Sequence, residues 1–150
     1  MSQSLAKNTL HLVFSTKDRR TWLKDAIRAR LFAYMAGIFE QLESPAIVIG
    51  GHDDHCHALF LLNKNQPMAK VVEEVKKSSS KWIKTLNAGL ADFSWQGGYG
   101  AFSVSESNVP QVRECIERQV EHHQRMSFQD ELRQLFERHG MTVDERYLWT

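Results

Sequence analysis

Two histidines stand one residue apart in the segment GGHDDHCHALF, which has the pattern of a β-strand. Side chains at positions i and i+2 of a strand point to the same face, so His55 and His57 are expected to project side by side. Imidazole nitrogens bind divalent metal ions, and two of them within reach of one ion predict a metal site. The alternative is a pair of hydrogen-bonded or solvent-facing histidines on a half-exposed strand.

A third donor is available on a predicted helix that begins near Ser107 or Asn108. Cys115, Gln119 and His122 follow one another there at i, i+4 and i+7 and form a polar face. A divalent ion that acts on phosphate needs a third protein donor and open positions for substrate oxygens, which the Gln119 carbonyl could complete. The alternative is that Gln119 and His122 face solvent while Cys115 packs as a small hydrophobic residue. The adjacent apolar stripe consists of Val112, Ile116 and Val120.

The composition is that of one globular domain. The chain has 150 residues, 42% of them hydrophobic, so residues 1–150 are predicted to share a single core. The formal net charge is only +1, which gives no global sign of a nucleic-acid partner, although basic residues cluster locally. Cys56 and Cys115 form no C-x-x-C pattern, and no signal peptide or membrane-spanning apolar run is present. These features predict a cytoplasmic protein with reduced thiols.

Hydrophobic periodicity predicts the order β-α-β-β-α-β for the first part of the chain. The predicted strands cover residues 8–17, 46–51, 55–62 and 99–105. The first helix is expected to end before Pro45, because the residue preceding a proline disfavours the α conformation, and the second to begin at Pro67. Two more helices follow, one over residues 107–124 and one capped by Ser127 and ended by Gly140.

This order of elements predicts an α+β, ferredoxin-like fold with two additional C-terminal helices. In such a fold an antiparallel sheet carries the first two helices on one face, and we expect the other face to be open for a ligand. The first strand contains HLVFS and has no proline, so we expect it to be an exposed edge that pairs with another copy of the chain.

Six separated segments carry a family resemblance, and they extend from about Leu10 to Trp149. They are HLVFSTKDRR, DHCHALF, KKSSSKWI, WQGGYGAFSVS, IERQVEHH and DERYLW. Together, and in this order, they resemble the single-tyrosine HUH transposases of small insertion sequences and their REP-associated relatives. The resemblance implies one HUH transposase domain that binds DNA and uses a divalent metal.

The resemblance also implies roles for individual residues. In this family two histidines that flank a bulky hydrophobic residue bind the metal, and Cys56 takes the middle position here. His55 and His57 are therefore implied as metal ligands, Gln119 as the ligand that completes the site, and Mg²⁺ or Mn²⁺ as the cofactor. Family members place a nucleophilic tyrosine four residues before this glutamine, where this chain has Cys115.

The residue at position 115 decides whether the family reaction is possible. In relatives the tyrosine attacks a single-stranded DNA phosphodiester, forms a 5′-phosphotyrosine link and releases a 3′-hydroxyl. A thiol ionises more easily than a phenol, but the Cys115 sulfur ends several bonds short of where a phenolic oxygen would lie. The other tyrosines are Tyr34, Tyr99 and Tyr147, and Tyr99, beside glycines, is a weak substitute. We therefore expect little or no strand cleavage.

Two groups of basic residues predict the DNA-binding surface. They are Lys17, Arg19 and Arg20 after the first strand, and Lys76, Lys77 and Lys81 on the second helix. Such residues neutralise phosphates, although charged helix faces are usually only solvated, and Trp82 occupies a position typical of the core. The resemblance implies hairpin-bearing single-stranded DNA as the partner, and a homodimer whose active sites are shared between subunits.

Three functions remain open at this point. The chain is a metal-dependent DNA strand transferase, an inactive descendant that still binds DNA hairpins, or a ferredoxin-like module with a structural metal. A closed structural zinc site needs four ligands, and neither cysteine is spaced to join the histidine pair. Asp53 and Asp54 are both candidates to hold a metal-binding imidazole in orientation.

Overall fold

A four-stranded antiparallel sheet forms the centre of the computed structural model, which describes residues 2–148. Trp149, in the DERYLW segment, lies outside the described residues. The strands are β1 (Thr9–Ser15), β2 (Ala46–Gly51), β3 (His55–Leu61) and β4 (Gly100–Ser103). They lie side by side in the order β2-β3-β1-β4. This arrangement confirms the predicted α+β fold.

The position of β1 differs from our expectation. It is a central strand, paired on one side with β3 and on the other with β4, and all of its residues are buried. The edges of the sheet are β2 and β4. The prediction of β1 as a free edge was wrong because β3 and β4 both pair antiparallel with it, one on each side, which a single strand pattern does not reveal.

Two long helices cover one face of the sheet, as predicted. They are α1 (Asp25–Gln41) and α2 (Met68–Ile83), and α2 begins directly after Pro67. Residues of β1 and β3 that point to this face, such as Leu12, Phe14 and Phe60, are fully buried against them. This layer is the main hydrophobic core, and its burial is the largest stabilising contribution in the fold.

The opposite face is covered as well, contrary to the predicted open surface. It carries α3 (Val109–Glu117), α4 (Gln119–His122) and α5 (Phe128–Arg138), and a short α6 (Glu145–Leu148) follows. The apolar stripe of α5, Phe128, Leu132 and Phe136, packs on Val13 and Phe102 of the sheet. Because this stripe would otherwise be exposed to water, burying it on the sheet is favourable and closes the face.

The predicted ends of α5 are confirmed, whereas the helix over residues 107–124 is interrupted. The Ser127 side chain accepts a hydrogen bond from the Asp130 backbone N–H, and Gly140 follows the helix with φ of +65°. At Arg118 the backbone leaves the helical conformation, with φ of −104° and ψ of 26°. The break turns Gln119 into the interior and leaves Val120 45% exposed. Val120 therefore does not continue the apolar stripe.

Among residues 2–148, no helix has the length and apolar character needed to cross a membrane.

Candidate metal and nucleic-acid site

The histidine pair lies on the central strand β3 and faces α5. His55 and His57 are 0% and 1% exposed, and their ring centroids are 5.2 Å apart. Cys56, between them, points into the core under α1 and α2. The predicted alternation along the strand is therefore correct, but the strand is fully covered and not half-exposed, so the two imidazoles lie in a low-dielectric environment.

Gln119 is brought to the pair by a close approach of α3 to β2. A Cβ atom on Gly50 would lie 2.2 Å from the Ile116 carbonyl oxygen, so only glycine allows this packing. Gly50 is also the β2 partner of His57. The break after α3 then directs the Gln119 side chain to the sheet, where its Oε1 lies 3.0 Å from His55 Nε2. The three residues predicted as metal ligands are thus neighbours in one chain.

Each histidine is held through its Nδ1 atom, which leaves Nε2 directed at the site. His55 Nδ1 lies 2.8 Å from Asp54 Oδ1. Of the two candidate aspartates, Asp54 is therefore the one that orients an imidazole of the pair. Asp53 instead pairs with Lys24 and Arg28. Burial alone would raise the pKa of Asp54, but the hydrogen bond from His55 lowers it overall. A carboxylate partner of this kind fixes the ring orientation and the tautomer of a metal-binding histidine.

The partner of His57 is a third histidine that sequence reasoning missed. His11 Nε2 on β1 lies 2.8 Å from His57 Nδ1. Burial and, to a smaller extent, the neighbouring His57 lower the pKa of His11 to about 3. Burial also lowers the pKa of His57. Both rings are therefore neutral near pH 7, which is the state in which an imidazole binds a metal.

Glu131 of α5 and His123, just after α4, complete the polar cluster, and neither was predicted. Glu131 Oε1 lies 2.7 Å from His57 Nε2, and His123 Nε2 lies 2.9 Å from Gln119 Oε1. Burial alone would raise the pKa of Glu131, but His123 and His57 hold it well below its usual range. Burial alone would lower the pKa of His123, and Glu131 raises it overall. The only sequence signal was the place of Glu131 on the apolar side of α5.

The cluster has the donors that a divalent cation needs. His55, His57 and Glu131 each place one ligand atom within 4.8 Å of the other two. His57 Nε2 and Glu131 Oε1 are buried and have no hydrogen-bond partner, because their contact is close but not aligned for a hydrogen bond. A buried pair of unsatisfied polar atoms is costly, and a shared cation would satisfy both. The residues present therefore fit a metal ion.

Cys115 lies one helical turn before Gln119 but is not part of this cluster. Its side chain is exposed, while its backbone carbonyl accepts a hydrogen bond from Gln119 Nε2. Cys115 borders a cavity between α3, α5 and the face of the sheet that these helices cover. The cavity is also lined by His11, Asn108, Gln111, Arg138 and His139. Through His11, this cavity adjoins the histidine pair.

Tyr34 and Tyr99, whose side chains the structure describes, make contacts outside the polar cluster. Tyr34 stacks on Trp82 at 4.5 Å between ring centroids, and Trp82 is only partly buried. Tyr99 is 37% exposed and lies beside the Lys76 ammonium group. The side chain of Tyr147 lies outside the part that the structure describes.

The predicted DNA-binding residues lie in two places, after β1 and on α2. Lys17, Arg19 and Arg20 follow β1 at the end of the sheet where His55 lies, and Arg19 is close enough to Asp54 to stabilise its charge. Lys77 and Lys81 are exposed on α2.

Lys76 is engaged within the fold. Its Nζ atom donates to the backbone carbonyls of Gln96 and Gly98 at 2.7 Å and 3.0 Å, and it lies over the Phe14 ring. Partial burial lowers the pKa of Lys76. Its contacts are those of a residue that anchors the glycine-rich segment before β4.

Two solved structures resemble this chain in fold. No curated protein matches the chain. A solved structure of a candidate transposase from Deinococcus radiodurans superposes with a TM-score of 0.63 and 21% identity, covering 79% of this chain and 98% of the other. A REP-associated tyrosine transposase bound to a REP hairpin superposes with a TM-score of 0.58 and 15% identity, covering 79% and 72%. At these identities both show a shared fold.

The family assignment comes from the sequence. The model of the family described as "Transposase IS200 like" matches residues 4–119, which include β1 to β4, the histidine pair and Gln119. The chain belongs to the IS200-like transposase family.

Proposed function

We propose that this transposase-family protein binds hairpin-bearing single-stranded DNA and holds a divalent metal at its histidine pair. The observation that carries the proposal is the convergence of three separately predicted donors, with Gln119 Oε1 at 3.0 Å from His55 Nε2 and His57 on the same strand face. The hairpin in the REP-associated neighbour supports the choice of DNA partner.

One group of residues would bind the metal and a second group would bind the DNA. His55, His57 and Gln119 would bind Mg²⁺ or Mn²⁺, which supplies Lewis-acid polarisation of a phosphate when bound. Asp54 orients the His55 ring and His11 orients the His57 ring, each through the Nδ1 atom. The basic turn after β1 lies at the same end of the sheet and would neutralise flanking phosphates.

A second candidate function is supported by the residue at position 115. Covalent strand cleavage needs a nucleophilic atom in line with the leaving oxygen, and the Cys115 side chain is short and exposed. With an intact metal cluster and no tyrosine at this place, the chain would be a DNA-hairpin binder that no longer cleaves. Strand transfer and binding alone are separated by a cleavage assay with the unmodified protein.

The homodimer stays a proposal of its own. The donors of the cluster lie close together within the single chain described. A dimer that exchanges α3 between subunits would preserve the same contacts, because Ile116 would approach Gly50 across the subunit boundary as it does here within one chain. We expect light scattering to give twice the 17.4 kDa chain mass, and a stable monomer at micromolar concentration would contradict the dimer.

Fluorescence anisotropy with labelled DNA tests the main proposal. The oligonucleotides are a stem-loop and a sequence of the same length and composition that forms no stem, each measured with Mn²⁺ and with EDTA. We expect the stem-loop to bind more tightly. Lys64→Ala is a matched control, because Lys64 lies beyond the opposite end of β3 and bonds to the Ser4 carbonyl. Equal affinity for the two oligonucleotides would contradict hairpin recognition.

A further inference from the structure

The polar cluster receives side chains from beyond the family match. That match ends at Gln119, yet His123 and Glu131, which come later in the chain, both contact the cluster. Phe128 of α5 also stacks on the His55 ring, at 4.2 Å between centroids and 16° between planes. Helix α5 therefore rests directly on the residues that hold the proposed metal.

The shortest distances among these donors match those between adjacent ligands of one ion. Adjacent ligands of an octahedral ion, bound at about 2.0–2.1 Å, lie about 3 Å apart. Gln119 Oε1 is 3.0 Å from His55 Nε2 and 2.9 Å from His123 Nε2, and Glu131 Oε1 is 2.7 Å from His57 Nε2. Glu131 Oε2 is 3.5 Å from His123 Nε2, which links the two groups.

We propose that Glu131 and His123 are ligands of the metal held by His55 and His57, so that the bound ion fastens α5 to the sheet. The inference rests on the metal-binding part of the proposed function and goes beyond it, because it assigns ligands outside the matched family region. Glu131 is the carboxylate whose Oε1 has no hydrogen-bond partner, and His57 Nε2 is the matching atom on the sheet. One cation between them satisfies both.

The donor set also determines which ion binds. Three imidazoles with one carboxylate and one amide oxygen favour a first-row transition ion over Mg²⁺, because Mg²⁺ prefers oxygen ligands and water. We expect Mn²⁺ and Zn²⁺ to bind more tightly than Mg²⁺. The same five donors leave one position of an octahedral ion for a substrate oxygen.

The competing explanation is that ion pairs alone hold α5 in place. Glu131 Oε2 lies 2.8 Å from His122 Nε2, whose side chain is 37% exposed. In that case α5 would be held equally well with and without metal. A measurement of how the metal changes the protection of α5 therefore separates the two explanations.

The test uses the full chain freed of metal, titrated with MnCl₂, ZnCl₂ or MgCl₂ in a calorimeter and examined by backbone hydrogen exchange. We expect Mn²⁺ to slow exchange over Phe128–Arg138, and Glu131→Gln to lower Mn²⁺ affinity at least about tenfold and to abolish the slowing. Glu137→Gln is the matched control, because it removes the same charge from an exposed position on the same helix. His123→Gln should weaken binding as well, whereas the exposed His139→Gln should not.

The outcomes are separable from those of the DNA experiment. If Mn²⁺ binds the unmodified chain and the Glu131→Gln and His123→Gln variants equally, the assignment of these ligands is wrong while metal binding at the histidine pair stands. If Mn²⁺ binds but leaves exchange in α5 unchanged, the fastening of α5 is wrong. If no metal binds, both metal proposals fall, whereas hairpin binding measured in EDTA is unaffected.

Discussion

His11 and His57 form an imidazole pair across the two central strands, with Nε2 of His11 at 2.8 Å from Nδ1 of His57 and ring centroids 5.1 Å apart. Most metal-binding histidines donate this second N–H to a carboxylate, a carbonyl or water. A neutral imidazole as acceptor makes the orientation of His57 depend on a buried side chain of β1. The orientation of His57, a proposed metal ligand, and the packing of the sheet centre are therefore linked through one hydrogen bond.

Loss of this pair should weaken the metal site without removing a ligand. We expect His11→Phe to lower Mn²⁺ affinity about 10- to 100-fold, because His57 loses the partner that fixes its ring. Isothermal titration calorimetry measures the effect. His139→Gln serves as the control, since His139 stacks on Phe102 and is exposed. Unchanged affinity in His11→Phe would show that His57 is held by its surroundings alone.

The close approach at Gly50 predicts a large effect of one methyl group. Gly50→Ala places a Cβ 2.2 Å from the Ile116 carbonyl oxygen, so α3 must move and carry Gln119 away from His55. We expect a loss of about 1–3 kcal/mol in the free energy of unfolding, together with weaker Mn²⁺ binding. Urea denaturation and calorimetry measure the two quantities.

Gly37 provides the matched control for that substitution. It lies within α1, and a Cβ there meets nothing within 4 Å. Gly37→Ala should therefore raise the free energy of unfolding by about 0.5–1 kcal/mol, through the higher helix propensity of alanine. A Gly50→Ala protein as stable as the unmodified chain would contradict the tight packing of α3 on β2.

Cys115 gives a prediction of gained activity. If the rest of the site is intact, Cys115→Tyr should produce metal-dependent cleavage of single-stranded DNA and a covalent protein–DNA adduct, because a phenol extends several bonds farther than a thiol. Denaturing gel electrophoresis with end-labelled DNA detects both products. Tyr99→Phe in the same background should change neither. Efficient cleavage by the unmodified protein, with an adduct mapped to Cys115, would refute the chemical argument.

The basic residues predict a salt dependence that distinguishes DNA contacts from structural contacts. Each of Arg20→Ala, Lys77→Ala and Lys81→Ala should reduce the slope of log affinity against log salt by about one unit if the residue contacts a phosphate. Anisotropy titrations at several salt concentrations give the slope. The Lys64→Ala control should leave the slope unchanged. An unchanged slope in the three basic variants would show that their residues do not contact DNA.

Lys76 should behave differently from this group. Its Nζ atom holds two backbone carbonyls before β4, so Lys76→Met should mainly lower the melting temperature. Gln96 is buried, and a buried carbonyl that loses its donor costs about 1–3 kcal/mol. A Lys76→Met protein of unchanged stability but reduced salt slope would place this lysine on the DNA.

The parts of the structure that follow from local periodicity were predictable from the sequence. The alternation in HCHALFL placed His55 and His57 on one face, and Pro67, Ser127 and Gly140 marked helix ends correctly. These signals act over a few residues and depend on backbone sterics or a single capping hydrogen bond. They needed no knowledge of the tertiary structure.

The missed features depend on which distant segments meet. His11 reaches His57 only because β1 pairs with β3, and Glu131 reaches it only because α5 folds back over the sheet. The break at Arg118 comes two residues after Ile116, which packs on Gly50, and a sequence that favours a continuous helix does not show this tertiary contact. Periodicity along one element cannot report such contacts.

The central place of β1 also has a consequence during synthesis. This strand leaves the ribosome before both of its neighbours, β3 and β4, and β4 begins only at Gly100. Until then the apolar segment TLHLVFS has its backbone groups unpaired and its side chains uncovered, a state that promotes aggregation. We therefore expect a growing chain to expose this segment until β4 has been made.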